Sequence, residues 1–408
     1  MKRDQYQTGS AKDCTTPWAA IASLSVLTFL LVGLEFMPAS LLTPIARDLA
    51  ISEGQAGLSI VVSGAFAVTT SLLGNPLLAR LDRRAIVLLY TAALTISSLI
   101  VAAAPNFMMF LLGRALIGMA IGGFWSLSTA IVARLARQDD VSKAIALLQV
   151  GTAAALVIAA PLGSFLESRM GWRETFFVTV PIGLLAFVWQ LIVLPRMPST
   201  ETPSVASTFR LLRRRNFAAG MVAITLSFAG QNSLSIYLRP FLEAITGFHA
   251  EAVSLVLLGL GLGGFAGLSL IGVVLRRYLT PVLVGLPVAL STLALLLLVL
   301  GRVQPIAVLL LLLWGLCSTP LIVAWNTWMA GVIPDDLEAG GGLQVALIQC
   351  AIAGGAFAGG VLLDSVGWWS AFLLAAVLLL GSTLSAAVAV AVSHRTHINQ
   401  VRLGESHV

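Results

Sequence analysis

Residues 17–40 read PWAAIASLSVLTFLLVGLEFMPAS. No charge occurs from Pro17 to Leu34, and then Glu35 stands alone in an apolar run. About 20 apolar residues span a ~30 Å hydrocarbon core as one helix, and a helix satisfies its own backbone groups there. The run lacks a small-residue cleavage signal, so it reads as a retained helix rather than a signal peptide. The chain of 408 residues is 58% hydrophobic and 10% charged, against about 25% charged for soluble domains. Its mean hydropathy is +0.96. Apolar runs recur along the whole length, which a single soluble core does not explain. The chain reads as an integral membrane protein.

Twelve such runs are expected, near 17–41, 55–78, 85–103, 107–133, 143–166, 173–194, 217–238, 250–275, 280–300, 304–332, 340–362 and 369–392. Residues 1–16 form an N-terminal tail, 195–216 a polar connector ending in Arg213, Arg214 and Arg215, and 393–408 a C-terminal tail. The six runs of 17–194 and the six of 217–392 make two bundles. Eighteen of the 24 basic residues lie in the tails, the connector and the loops on one side. Five lie in the opposite loops, and Arg114 lies inside a run. The net charge of +6 is thus the cytoplasmic bias of a membrane protein with both termini inside, rather than a nucleic-acid surface.

The halves repeat at an offset of 196 residues. Asp139-Asp140 match Asp335-Asp336, Gly171-Trp172 match Gly367-Trp368, Phe176 matches Phe372, and Arg80 matches Arg276. Six spans return the chain to its starting side, so the repeats run parallel. This predicts an all-α fold of two pseudo-symmetric six-helix bundles related by an axis along the membrane normal.

Glu35 and Arg114 lie roughly 10 Å and 14 Å from the same membrane face at 1.5 Å per residue. Ionisable groups at such depth are costly unless paired or facing water. Glu35 is expected to face an aqueous cavity and exchange a proton, with Arg114 as its electrostatic partner or regulator; a static ion pair holding two helices together is the competing role. Polar residues at helical spacing mark inward faces: Ser25 and Thr28 with Glu35; Arg114, Gly118, Trp125 and Ser128; Ser227, Gln231 and Ser235 with Asn232 beside them; and Ser318 and Asn326 with Trp314 and Trp325 nearby. Gln344 and Gln349 are about 140° apart, so one of them faces a cavity, and Gln344 is preferred. Amides between aromatic plates suit a flat, neutral, hydrogen-bonding ligand. Interhelical hydrogen bonding is the competing role for each residue.

Other chemistry is not encoded. GLGLGG (259–264) has no acidic residue between Glu251 and Asp335 to hold a ribose. Its glycines, with Gly267, read as a close helix contact. No phosphate-binding loop, zinc-protease helix or nucleophile elbow is present. Cys14, Cys317 and Cys350 show no metal spacing and no pairing.

Three stretches resemble the loop, helix-four and helix-five motifs of the major facilitator superfamily. GNPLLARLDRR (74–84) carries Arg80, Asp82, Arg83 and Arg84, with Leu78 where an Asp is usual. GRALIGMAIGG (113–123) places Arg114 at the proton-coupling position, and VIAAPLG (157–163) places Pro161 and Gly163 in the antiporter motif, with Ala160 for its usual Gly. EFMPASLLTPIARDLAISEGQAG (35–57), TFRLLRRRNFAAGMVAITLSFAGQ (208–231), IYLRP (236–240) and QVALIQ (344–349) are similar to the drug:proton antiporter family, in its branch of bacterial purine ribonucleoside exporters. The resemblance implies a proton-coupled efflux antiporter of the bacterial inner membrane, working as a single chain by alternating access. Its cargo would be inosine and guanosine, with drug or sugar export as the alternative. It needs no cofactor beyond the proton gradient, and it is not an enzyme.

Overall fold

A computed structural model describes residues 16–78, 81–198, 210–333 and 336–405. Among them, eleven helices are long and apolar enough to cross a membrane. They are carried by α1 (Trp18–Ser40), α3 (Glu53–Leu77), α4 (Arg83–Ala102), α5 (Phe107–Leu135), α6 (Val141–Met170), α7 (Trp172–Val193), α10 (Ala250–Leu300), the pair α11 (Gln304–Ser318) and α12 (Pro320–Val332), α13 (Leu337–Val366) and α14 (Trp369–Glu405). The twelfth, α8 (Arg215–Ser235), has 21 residues. Its polar Thr225, Ser227, Gln231, Asn232 and Ser233 dilute its hydropathy. Short α2 (Leu42–Asp48) and α9 (Leu238–Ala244) fill loops at the end away from the termini, the distal end.

One expected loop is tighter than the sequence suggests, and one expected span is bent. α10 counts as two spans, Ala250–Leu275 and Arg277–Leu300, joined through one non-helical residue, Tyr278 at φ −130°, ψ 36°. The span 304–332 bends between α11 and α12, because Pro320 has no N–H for the Leu316 carbonyl.

The 196-residue repeat is physical. Gly171 (φ 97°) ends α6 and Gly367 (φ 118°) ends α13; with ψ of 166° and 171°, both occupy backbone space that is essentially glycine's own. The next residue in each half is a Trp edge-on to a Phe, Trp172 to Phe176 at 6.3 Å and Trp368 to Phe372 at 5.7 Å. At the other end, Thr16 donates to Asp140 at 2.7 Å, and Arg214 pairs with Asp336 at 3.0 Å. Each tie joins the entry of a half to its fifth span.

Helix pairs repeat as well: α1 on α6 as α8 on α13, and α3 on α5 as the first arm of α10 on α11. These contacts are backbone-close. A Cβ on Gly118 would stand 2.1 Å from the Ser63 carbonyl oxygen, and one on Gly122 1.9 Å from that of Ala67. In the second half, Gly263 faces the Leu312 carbonyl at 2.4 Å and Gly267 that of Leu316 at 2.2 Å. The glycines of 259–267 therefore pack helices, as expected. The halves meet along α3 with α13 and α6 with α10.

Gly122→Ala should push α5 off α3, an overpacking cost of about 1–3 kcal/mol. Its thermal midpoint in detergent should fall clearly, while Gly272→Ala, with nothing within 4 Å of its Cβ, should match wild type.

Candidate functional site

Pro38 lies inside α1 and has no amide hydrogen, so the Leu34 carbonyl one turn earlier lacks its helical donor. Arg114 supplies it. Its Nη1 donates to the Leu34 carbonyl at 2.7 Å and its Nη2 to the Glu35 carbonyl at 3.1 Å. Nη2 also donates to Ser63 Oγ at 3.1 Å, and Nε to the Ser59 carbonyl at 3.3 Å. The guanidinium is 1% exposed and ties α1, α3 and α5 together. Carbonyl dipoles thus compensate a buried cation that lipid would otherwise penalise.

The expected electrostatic partnership is not a contact ion pair. Arg114 binds the backbone of Glu35 and makes no ion pair with its carboxylate. The carboxylate turns toward the other half, where Gln349 Nε2 of α13 donates to Glu35 Oε1 at 3.0 Å. Both side chains are buried, at 5% and 6% exposure. Gln344, preferred from the sequence, instead donates to Asn326 Oδ1 at 2.9 Å, linking α13 to α12. Five residues of helix turn the two amides to different partners, as the 140° separation requires; the sequence could not say which partner was the carboxylate.

The remaining candidates divide. Thr28 is fully buried and faces no cavity: its Oγ1 bonds the Leu24, Ser25 and Leu148 carbonyls in the α1–α6 contact. Ser25 donates to the Leu147 carbonyl in the same contact. Ser128 is 1% exposed and donates to the Trp125 carbonyl, so it too is spent within its helix. Ser227 bonds Ser382 at 2.6 Å, and Asn232 donates to the Phe228 carbonyl at 2.8 Å. Trp325 is wholly buried, edge-on to Trp328 at 5.3 Å. Trp125, Gln231 and Ser235 are half-buried, and Asn326 is exposed. The amide of Gln231 and the indole N–H groups of Trp325 and Trp328 are buried without partners.

In the loop motif, Asp82 caps α4 through the Arg84 amide at 2.8 Å and accepts from the Met197 amide at 2.9 Å. Arg84 donates to the Leu191 carbonyl at the end of α7, and Arg83 is buried. Arg80 lies outside the described residues. Pro161 sits within α6. A Cβ on Gly163 would approach Ser40 Oγ to 3.2 Å, so this motif brings α6 onto α1.

A second constellation was not anticipated. Arg239, within the IYLRP stretch and given no role from the sequence, is buried at the distal end and crosses between the halves. It donates to Glu167 Oε2 at 2.8 Å, to the Ser40 carbonyl at 2.5 Å and to Glu243 Oε1 at 2.7 Å. Asp364 of α13 accepts from the Gly54 amide at 3.1 Å and from Ser52 Oγ, at the start of α3. A helix N-terminus favours that carboxylate. The distal end is therefore latched shut. The sequence signal was available: Glu167 and Asp364 are charges one and two residues beyond the expected ends of spans five and eleven, within the last turns of α6 and α13.

The model of the Major Facilitator Superfamily matches residues 24–343. The chain is 47% identical over 367 residues to a Pseudomonas aeruginosa protein named transcription regulatory protein OpdE, covering 89% of this chain and 91% of that one. It is 40% identical over 367 residues to the purine ribonucleoside efflux pump NepI of Escherichia coli K12, covering 90% and 93%. Among solved structures, a bacterial homolog of the human lysosomal transporter Spinster, inward-facing and unoccupied, superposes with a TM-score of 0.71 at 17% identity, covering 94% and 96%. The human organic anion transporter MFSD10 gives a TM-score of 0.61 at 18% identity, covering 90% and 99%.

Arg239→Gln should loosen the latch. Hydrogen exchange of the amides in 40–54 should speed by about tenfold or more, reflecting easier local opening. Unchanged exchange there would mean that Arg239 does not hold the end closed.

Proposed function

The chain belongs to the major facilitator superfamily, a transporter and not an enzyme, and from that premise we propose that it exports purine ribonucleosides in exchange for protons. The observation that carries the proton part is the buried Glu35. It is an acid at membrane depth, held between two halves that must move apart for alternating access. Intramembrane carboxyls of this kind mark proton paths. Arg114 fixes the backbone from which the carboxylate projects and leaves the carboxylate itself free to change charge.

The cargo assignment draws on the efflux relative at 40% identity and on chemistry. Gln231, Trp325 and Trp328 hold polar N–H groups without partners, and Asn326 and Gln344 present paired amides. Donors beside aromatic surfaces suit a flat, neutral, hydrogen-bonding nucleoside. Drug or sugar export on the same scaffold is the nearest alternative. The latched distal end fits a resting state open toward the termini, and the basic-residue bias supports a cytoplasmic side for them, with the chain in a bacterial inner membrane. The regulatory name of the Pseudomonas relative favours a second reading, control of gene expression through the level of a solute. Direct transport assays separate the two.

Purified protein in proteoliposomes under an imposed pH gradient should move labelled inosine. Glu35→Gln should abolish gradient-driven movement and retain inosine binding. Gradient-driven movement of a drug or sugar alone would replace the cargo and keep the mechanism. Movement of none of these would favour the regulatory reading. Coupled inosine transport undiminished in Glu35→Gln would make that carboxylate structural.

A further inference from the structure

Gln349 has one described hydrogen bond from its side chain, and that bond leaves its own half of the molecule. Its Nε2 reaches Glu35 Oε1 at 3.0 Å across 314 residues of sequence. Its other amide atom, Oε1, is buried with no partner. A buried carboxamide held at one atom only is unusual, because such groups normally satisfy both ends. Packing fixes the place of this one. A Cβ on Gly64 of α3 would stand 3.2 Å from the Gln349 carbonyl oxygen and 2.8 Å from Ala353 Cβ, so the backbones of α3 and α13 meet at this level. On the facing side, Arg114 pins the Glu35 backbone to α3 and α5. The carboxylate is thus referenced to the first half, and the amide that holds it to the second.

A carboxamide can present either of two atoms to a carboxyl group. To a carboxylate, which only accepts, it must present N–H, as it does here. A protonated acid can still accept at its carbonyl oxygen, but its O–H also donates, and the amide oxygen is the atom that takes that bond. In Gln349 that oxygen is free, and a half-turn about the broad terminal torsion brings it round. The charge-assisted bond to the carboxylate is also roughly twice as strong as its neutral counterpart.

We propose that Gln349 is the positioning residue that couples the charge of Glu35 to the contact between the halves. Ionised, Glu35 is gripped by the second half through the amide N–H. Protonated, it keeps at most a weaker neutral bond from that N–H, and its own O–H finds an acceptor in the amide oxygen. Proton binding on one half is thereby felt by the other. This rests on the proton-exchange reading above.

The test compares wild type with Gln349→Met, which keeps side-chain length and removes donor and acceptor. Gln349→Asn, a methylene too short for the contact, serves as a second variant should Met disturb folding. Proteoliposomes carry a trapped pH dye, and labelled inosine is followed in two modes: solute counterflow without a gradient, and movement driven by a pH gradient. Counterflow should persist in both variants, while gradient-driven accumulation falls by about tenfold, within the usual range of coupling between sites, and loses its pH dependence. In a Glu35→Gln background the same substitution should cost nothing further, because the two act as one unit. Wild-type coupling accompanied by equal coupling in both variants overturns the role of Gln349 and leaves the transport reading standing. Loss of counterflow and driven transport together would also overturn it, as damage to cargo handling. Absence of any gradient-driven movement in the wild type brings down both.

Discussion

The arrangement depends on one missing hydrogen. Pro38 cannot donate to the Leu34 carbonyl, and a backbone acceptor left bare inside a membrane protein is costly. Arg114 meets that need from α5. The same guanidinium then has donors left for the Glu35 carbonyl, Ser63 and Ser59, so satisfying one proline-interrupted turn locks three helices. Hydrogen bonds from a charged donor contribute about 1.5–3 kcal/mol each, which explains how a cation can sit buried without a carboxylate against it.

Freed from that ion pair, the Glu35 side chain faces the second half. An Arg–carboxylate pair closed within one bundle would leave the acid's charge indifferent to how the bundles sit. An amide from the opposite bundle makes it depend on them. Gly64 permits this, since any larger residue on α3 would meet the Gln349 backbone and Ala353.

Fold class, span number and repeat were legible because each rests on local or periodic information. Apolar length sets a span, and the Gly-Trp pair at each 196-residue step ends a helix in a conformation that essentially only glycine adopts. Single-residue interruptions were less visible: Tyr278 bends α10 where a loop was expected, because a change of direction needs only one residue outside the helical region. The site was half legible. Depth singled out Glu35 and Arg114, but spacing on one helix cannot show whether a polar group looks into a cavity or into a neighbour's backbone. Thr28, Ser128 and Ser227 proved to be interhelical or intrahelical partners, the ordinary fate of hydroxyls in membranes. Gln349 and Gln344 were separable by angle alone, and the choice turned on the packing of α13 against α3, which is a property of the whole fold.

The distal latch belongs to the same device. The segment from Leu34 to Ser40 is less than two turns of α1. Its first carbonyl is held by Arg114 of its own half, its carboxylate by Gln349 of the other half, and its last carbonyl by Arg239, also of the other half. Helix α1 ends at Ser40, so that carbonyl has no helical donor and is open to a cation. Gly163 lets α6 approach the same turn, and Glu167 one turn further along α6 completes the cradle for the Arg239 guanidinium. Movement of the second half away from α1 must therefore break the Gln349 and Arg239 contacts together, since both grip a stretch roughly 9 Å long at 1.5 Å per residue. Pro38 lies between the two grips. The hydrogen bond missing at Pro38 makes that turn the weakest in the distal end of α1, while Arg114 keeps the Glu35 backbone still. The proline that created the need for Arg114 thus also separates the turn that Arg114 pins, with the carboxylate that Gln349 holds, from the end carbonyl that Arg239 holds.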